Sequence, residues 1–140
     1  MIKKHIIEVQ KSFNLPLDKI WEAFTSKEIF PKWFLGANLD TSWEIGTPIK
    51  FSGEYQGFSY QDKGMVLQFA PNKLIEYSYL SQFGGYDDKP ENYLWVQCSF
   101  EERDGGSSVF IRQSNYSEER MEHSKTGWKD LLNGLEKLLI

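Results

Sequence analysis

One cysteine, two histidines and five prolines in 140 residues leave several kinds of chemistry without material. A single thiol, Cys98, excludes an internal disulfide and any multi-cysteine zinc site, and it makes the cytosol the expected compartment. His5 and His123 lie too far apart in sequence, without cysteine support, to suggest a metal centre, and no cofactor is expected. No segment approaches the roughly 20 apolar residues that a membrane span needs. The opening MIKKHIIEVQ lacks the apolar stretch of a secretory leader. Basic residues are outnumbered, 16 Lys and Arg against 20 Asp and Glu, for a net charge of −4, and the acidic excess falls after residue 60. Without a basic stripe there is nothing to neutralise a phosphate backbone, so nucleic acid is excluded as a partner. Neither a dinucleotide fingerprint, a P-loop, a zincin motif nor a nucleophile elbow occurs. Gly84-Gly85 and Gly105-Gly106 read as turns, not phosphate cradles.

What the chain has in excess is aromatic rings: five Trp, seven Tyr and ten Phe, 16% of the residues. Such side chains fill space stiffly and line apolar pockets. With 40% hydrophobic and 26% charged residues the composition is that of a globular protein. Its length matches one domain over residues 1–140, since compact domains cluster at roughly 100–150 residues.

The hydrophobic periodicity sets the element order. Ile7, Val9 and Phe13 fall on one phase of a strand. Pro16 suits a helix start, and Leu17, Ile20, Trp21 and Phe24 follow at helical spacing. Thr25 and Glu28 have capping-box spacing, predicting a second short helix that Pro31 disturbs. It would carry Ile29, Trp33 and Phe34. A period of two then takes over: Leu39, Trp43 and Ile45, a turn at Gly46-Thr47-Pro48, then Ile49, Phe51 and Tyr55. Residues 58–69 read as a longer strand with Gly64 at a bulge. After the Ala70–Lys73 turn, Ile75, Tyr77 and Tyr79 alternate. Residues 81–91 are loop by composition. Leu94, Val96, Cys98 and Phe100 share a face, and Tyr93 and Trp95 take the other, as a contact surface or under cover of the 81–91 loop. Asp104-Gly105-Gly106 marks a hairpin, after which Val109, Ile111 and Gln113 align. Ser117 is the expected N-cap of a last helix, whose stripe comprises Met121, Trp128, Leu131, Leu132, Leu135, Leu138 and Leu139. Strands joined by short turns imply an antiparallel sheet, and so wide a stripe must cover that sheet.

Four runs carry a resemblance. PLDKIWEAFTSKEIFPKWF (Pro16 to Phe34), GMVLQFAPNKLIEYSYL (Gly64 to Leu80), FEERDGGSSVFIRQSNY (Phe100 to Tyr116) and HSKTGWKDLLNGLEKLL (His123 to Leu139) are together similar to the START-like superfamily. More narrowly, they resemble the homologues of the heat-shock-protein-90 ATPase activator. Gly46-Thr47 departs from a Gly-Gly frequent in that family. The additional N-terminal domain of the full eukaryotic co-chaperone has no counterpart in these 140 residues. The resemblance implies an α+β helix-grip fold: a curved antiparallel sheet of about seven strands around a long C-terminal helix, with two short helices after the first strand, enclosing a cavity.

No catalytic constellation emerges. Cys98 reads as a small core residue, and the carboxylates Asp40, Glu44 and Glu54 lie on the solvated phase of their strands. Trp33, Trp43, Phe51, Tyr77, Tyr79 and Trp128 are expected to face inward and wall the cavity, the two tyrosines orienting the polar end of a guest. Gln113 is a polar residue on an inward phase, and buried unpaired it would cost about 1–3 kcal/mol, so it needs a partner. His123, early on the last helix, is placed near the cavity mouth. Gly127 and Gly134, seven apart, are expected either to let the helix approach the sheet or to leave room for a guest, because each costs about 1 kcal/mol relative to Ala. The favoured function is a non-enzymatic module holding a small hydrophobic or amphipathic molecule, as a monomer or weak homodimer. One alternative is a chaperone co-factor or stress-response adaptor, which the resemblance motivates. A cavity-based cyclase or hydrolase, with His123, Gln113 and the tyrosines as its tools, is another.

Overall fold

The computed structural model describes Met1–Ile140. Strand β1 (Ile7–Phe13) leads into helices α1 (Leu17–Thr25) and α2 (Phe30–Trp33), then β2 (Asn38–Thr41), β3 (Pro48–Tyr55), β4 (Phe58–Ala70), β5 (Leu74–Tyr79), β6 (Leu94–Arg103), β7 (Gly106–Gln113) and the long helix α3 (Met121–Leu139). The seven strands form one sheet in the order β1-β7-β6-β5-β4-β3-β2. Every pair of neighbours is antiparallel. The first two helices therefore carry the chain from one sheet edge to the other, and the remaining strands meander back until β7 closes on β1. Helix α3 lies over the inner face, against β1 and α2. A cluster of 24 buried residues fills the space between. This is the α+β helix grip expected from the sequence.

Local chemistry explains where the elements differ from expectation. Thr25 does not open α2; it closes α1, its hydroxyl donating to the Trp21 carbonyl at 2.9 Å. Ser26 Oγ instead accepts from Ile29 N at 3.4 Å, and Pro31 fits the first turn, where its missing N–H costs nothing. The result is a single turn, Phe30–Trp33. The chain leaves it through Leu35 and Gly36, both at positive φ (52° and 73°).

Strand β2 stops at Thr41, so Trp43 and Ile45 are not strand residues as the alternation suggested. Hydroxyl-capped turns win over the ladder here. Thr41 Oγ1 accepts from Trp43 N at 3.0 Å, and Thr47 Oγ1 donates to the Glu44 carbonyl at 2.6 Å. Trp43 takes φ 61° and folds back onto Phe69, ring centroids 5.3 Å apart, and Ile45 is left 61% exposed. Tyr55, expected on the apolar phase, is also mostly exposed, at the end of β3 beyond its pairing with β2.

The bulge in β4 sits at Leu67, between the pairs Val66–Tyr77 and Gln68–Glu76, and not at Gly64. Gly64 answers another need: a Cβ there would lie 1.6 Å from the Ser78 carbonyl oxygen, so β4 and β5 can approach only over a bare backbone. Ser117 does not cap α3 with its side chain; a 3-10 turn, Glu118–Arg120, tightens the entry instead. On α3, Trp128, Leu132 and Leu135 are buried, while Leu138 is 40% exposed. A Cβ at Gly127 or Gly134 would meet nothing within 4 Å, so neither glycine serves helix approach. Trp95, on the outer face, is only 5% exposed. Its cover is the N-terminal segment, not the 81–91 loop: Ile2 pairs with Leu94, and Lys3 Nζ stands 5.0 Å from the indole centroid, with Arg112 at 5.6 Å.

Candidate functional site

The inner face of the sheet, α1, α2 and α3 enclose a cavity walled by twelve residues, all hydrophobic. From the helices come Phe24, Phe30, Trp33 and Trp128, with Phe34 just past α2; the strands supply Leu39, Ile49, Phe51, Ile75, Tyr77 and Cys98; Trp43 completes the wall from its turn. Alternation on β3, β5 and β6 aims Ile49 and Phe51, Ile75 and Tyr77, and Cys98 to the same side. The one-turn α2 brings three rings into the same space. Phe30 stacks on Phe34 at 4.6 Å, and Phe34 meets Trp128 at 5.8 Å and Phe51 at 6.1 Å.

Those rings nearly close the hollow. Its volume is about 10 Å³, room for about one water molecule. The cavity that the resemblance implies is thus nearly filled, because Phe30 and Phe34, which were not expected among its wall residues, occupy it. Phe34 and Trp43 are half-buried and form the rim. Larger depressions, of about 750 and 400 Å³, are open to the outside: one beside the start of α1 and the β6–β7 turn, the other on the outer face near Met65 and Tyr93.

Of the eight sequence-predicted site residues, Trp33, Trp43, Phe51, Tyr77 and Trp128 line the cavity. Tyr79 packs behind Phe51 at 5.8 Å and donates its hydroxyl to Asp62 at 2.5 Å. Gln113 finds the partner it needed: its Oε1 accepts from Trp128 Nε1 at 2.7 Å. His123 is exposed on α3 and is not part of the wall. Sequence reasoning missed Phe24, Phe30, Phe34, Leu39, Ile49, Ile75 and Cys98 as wall residues. Phe24, Leu39, Ile49, Ile75 and Cys98 carried the right phase but were read as ordinary core.

The electrostatics of the wall are those of an uncharged site. Burial pushes the Tyr77 phenol well above its ordinary value, and nearby Cys98 and Tyr79 push it further. Burial alone raises the Cys98 thiol, which makes it a poor nucleophile. Tyr79 is raised by burial first and then by the charge of Asp62. All three groups therefore stay protonated at neutral pH. The three indole N–H groups of the wall are occupied: Trp33 donates to the Ala23 carbonyl at 2.8 Å, Trp43 to the Thr25 carbonyl at 3.3 Å, and Trp128 to Gln113. No set of three or more His, Cys, Asp or Glu side chains is arranged to hold a metal ion. No helix is long and apolar enough to cross a membrane.

Residues 14–140 match the family model described as activator of Hsp90 ATPase homolog 1-like protein. The fold is similar to the solution structure of ChR145 from Cytophaga hutchinsonii, with 35% identity and a TM-score of 0.84 over 99% of this chain and 96% of that one. It is also similar to the solution structure of the Aha1 dimer from Colwellia psychrerythraea, at 21% identity and TM-score 0.73 over 97% and 94% of the two chains. DynU16, a protein of the dynemicin biosynthetic locus, aligns at 17% identity and TM-score 0.80 over 98% of this chain and 48% of its own. No protein of curated function matches the sequence.

Proposed function

The chain belongs to the activator of Hsp90 ATPase homolog 1-like family, and from that premise we propose that it is a non-enzymatic binding module that takes a small hydrophobic or amphipathic molecule between the sheet and α3. The observation that carries the reading is the wall itself: twelve hydrophobic residues with no charge among them, converging on one point from three helices and four strands. Apolar walls with very few polar groups are what small-molecule sites have in common. Their titratable members, Tyr77 and Cys98, are held neutral, which supports binding over acid–base or nucleophilic chemistry.

A cavity of about 10 Å³ must widen to admit a guest. The half-buried Phe34 at the end of α2 is the element placed to yield. It is held by one helical turn and followed by two residues at positive φ, a conformation that costs a non-glycine residue such as Leu35 energy. Three of the five tryptophans, Trp33, Trp43 and Trp128, line the space and act as built-in reporters. The test is thermal unfolding, together with tryptophan fluorescence, against a panel of apolar and amphipathic compounds. A guest at 100 times its dissociation constant adds about 2.7 kcal/mol, a rise of roughly 8 °C for a chain of this size. The absence of any stabilising guest would reject the reading.

A second reading, a protein-contact role toward a chaperone, is favoured by one separate observation. Tyr55, Phe58 and Phe83 are each more than half exposed around the β3–β4 hairpin and the loop after β5. Titration with the 90-kDa heat-shock chaperone and an ATPase assay test it; no binding and an unchanged rate would reject it.

A further inference from the structure

Resting on the receptor reading above, we infer that the guest is a flat, neutral molecule bearing one hydrogen-bond acceptor, and that the Tyr77 hydroxyl is the group that recognises it. The acceptor follows from an accounting of the wall's polar hydrogens. The indole N–H groups of Trp33, Trp43 and Trp128 are all spent on protein acceptors. Tyr77 is 7% exposed, and its hydroxyl makes no hydrogen bond within the protein, unlike that of Tyr79, which is committed to Asp62. The one fully enclosed side-chain polar atom without a partner is Ser124 Oγ on α3. The Tyr77 oxygen therefore still touches open space, and the space Tyr77 lines is the cavity. A buried phenol left as a spare donor calls for an acceptor: a carbonyl, ether or ring nitrogen.

Neutrality follows from what surrounds that donor. None of the four ion pairs, Lys11–Glu136, Lys63–Asp88, Arg103–Glu101 and Arg112–Glu8, includes a wall residue. A carboxylate or ammonium carried inside would lose its hydration and gain no counter-charge, a cost that burial does not refund. Flatness follows from the rings at the yielding side. Phe34 lies near-parallel both to Phe30 (21°) and to Phe51 (27°), a position against those rings that another planar ring takes over when Phe34 swings out.

Three compounds of one skeleton test this: indane, 1-indanone and indane-1-carboxylate, titrated by tryptophan fluorescence against the wild type and Tyr77→Phe. In the wild type, 1-indanone is expected to bind at least as tightly as indane despite its costlier desolvation, and the carboxylate at least 100-fold more weakly. In Tyr77→Phe the indanone-to-indane affinity ratio should fall about tenfold, the worth of one buried hydrogen bond. A ratio that Tyr77→Phe leaves unchanged, or a carboxylate that binds tightest, overturns the inference while leaving the receptor reading standing. Failure of all three compounds to bind the wild type would overturn the inference, and the receptor reading falls with it only if the wider panel of apolar and amphipathic compounds also yields no guest. Should Tyr77→Phe not fold, the carbonyl stretch of 13C-labelled 1-indanone bound to the wild type decides. A shift to lower frequency than in hexane is expected, and an unshifted band overturns the inference.

Discussion

Phe34→Ala is the substitution most informative about the closed cavity. The Phe34 ring meets Phe30 at 4.6 Å, Trp33 at 5.5 Å, Trp128 at 5.8 Å and Phe51 at 6.1 Å. Truncating a fully buried Phe costs about 3–5 kcal/mol. Phe34 is half-buried, so roughly half of that, about 2 kcal/mol, is expected. The lost ring also opens room at the rim of the hollow for another ring of benzene's size. Urea unfolding followed by tryptophan fluorescence should show a lower midpoint at unchanged m-value, and saturation with benzene should return about 1 kcal/mol to the variant and little to the wild type. A loss below about 0.5 kcal/mol would mean that Phe34 is not packed as described. The expected loss without benzene rescue would mean that the site collapses or floods when the ring is removed, contrary to the role given to Phe34.

Three further outcomes follow from the same structure. Gly127→Ala and Gly134→Ala should each raise stability by about 1 kcal/mol, because their Cβ positions are open; a loss in urea unfolding would contradict that open surface. Gly64→Ala should do the opposite and cost about 3 kcal/mol or more, or abolish folding, since its Cβ meets the Ser78 carbonyl oxygen; circular dichroism and urea unfolding read the result. Alkaline unfolding should begin near the ordinary thiol and phenol range, because burial raises Cys98 from 9.0 and Tyr77 and Tyr79 from 10.0. Above those values the unfolded chain releases protons that the folded one retains, so stability is complete below about pH 9 and then falls by about 1.4 kcal/mol per pH unit for each such group. A urea midpoint constant to pH 11 would refute the burial of these groups.

The fold was legible because its signals were long and periodic. The stripe on α3, the two-residue period of β3 to β7 and the helical spacing from Leu17 to Phe24 each point to one buried face. What the sequence hid is short-range. Thr41 and Thr47 hydroxyls outbid a strand ladder at Trp43, and no periodicity reports that competition. Pro31 was read as a disturbance, yet it sits in the only turn of α2 and helps deliver Phe30 and Phe34 into the cavity. The volume of the hollow was the least legible quantity, because it is set by whether those two rings point in or out. Polar pairings were readable by need but not by partner: Gln113 required one, and only the three-dimensional arrangement identifies Trp128. His123 lies exposed outside the wall, because a helix start near a cavity mouth does not fix which side the imidazole faces.

Intermolecular nuclear Overhauser contacts from 1-indanone at saturation report directly whether a guest lodges between the sheet and α3. Contacts are expected to the methyl groups of Ile49 and Ile75 and to the indole of Trp128. Contacts confined to outer-face residues such as Met65 and Leu67, or none at all, would contradict that placement.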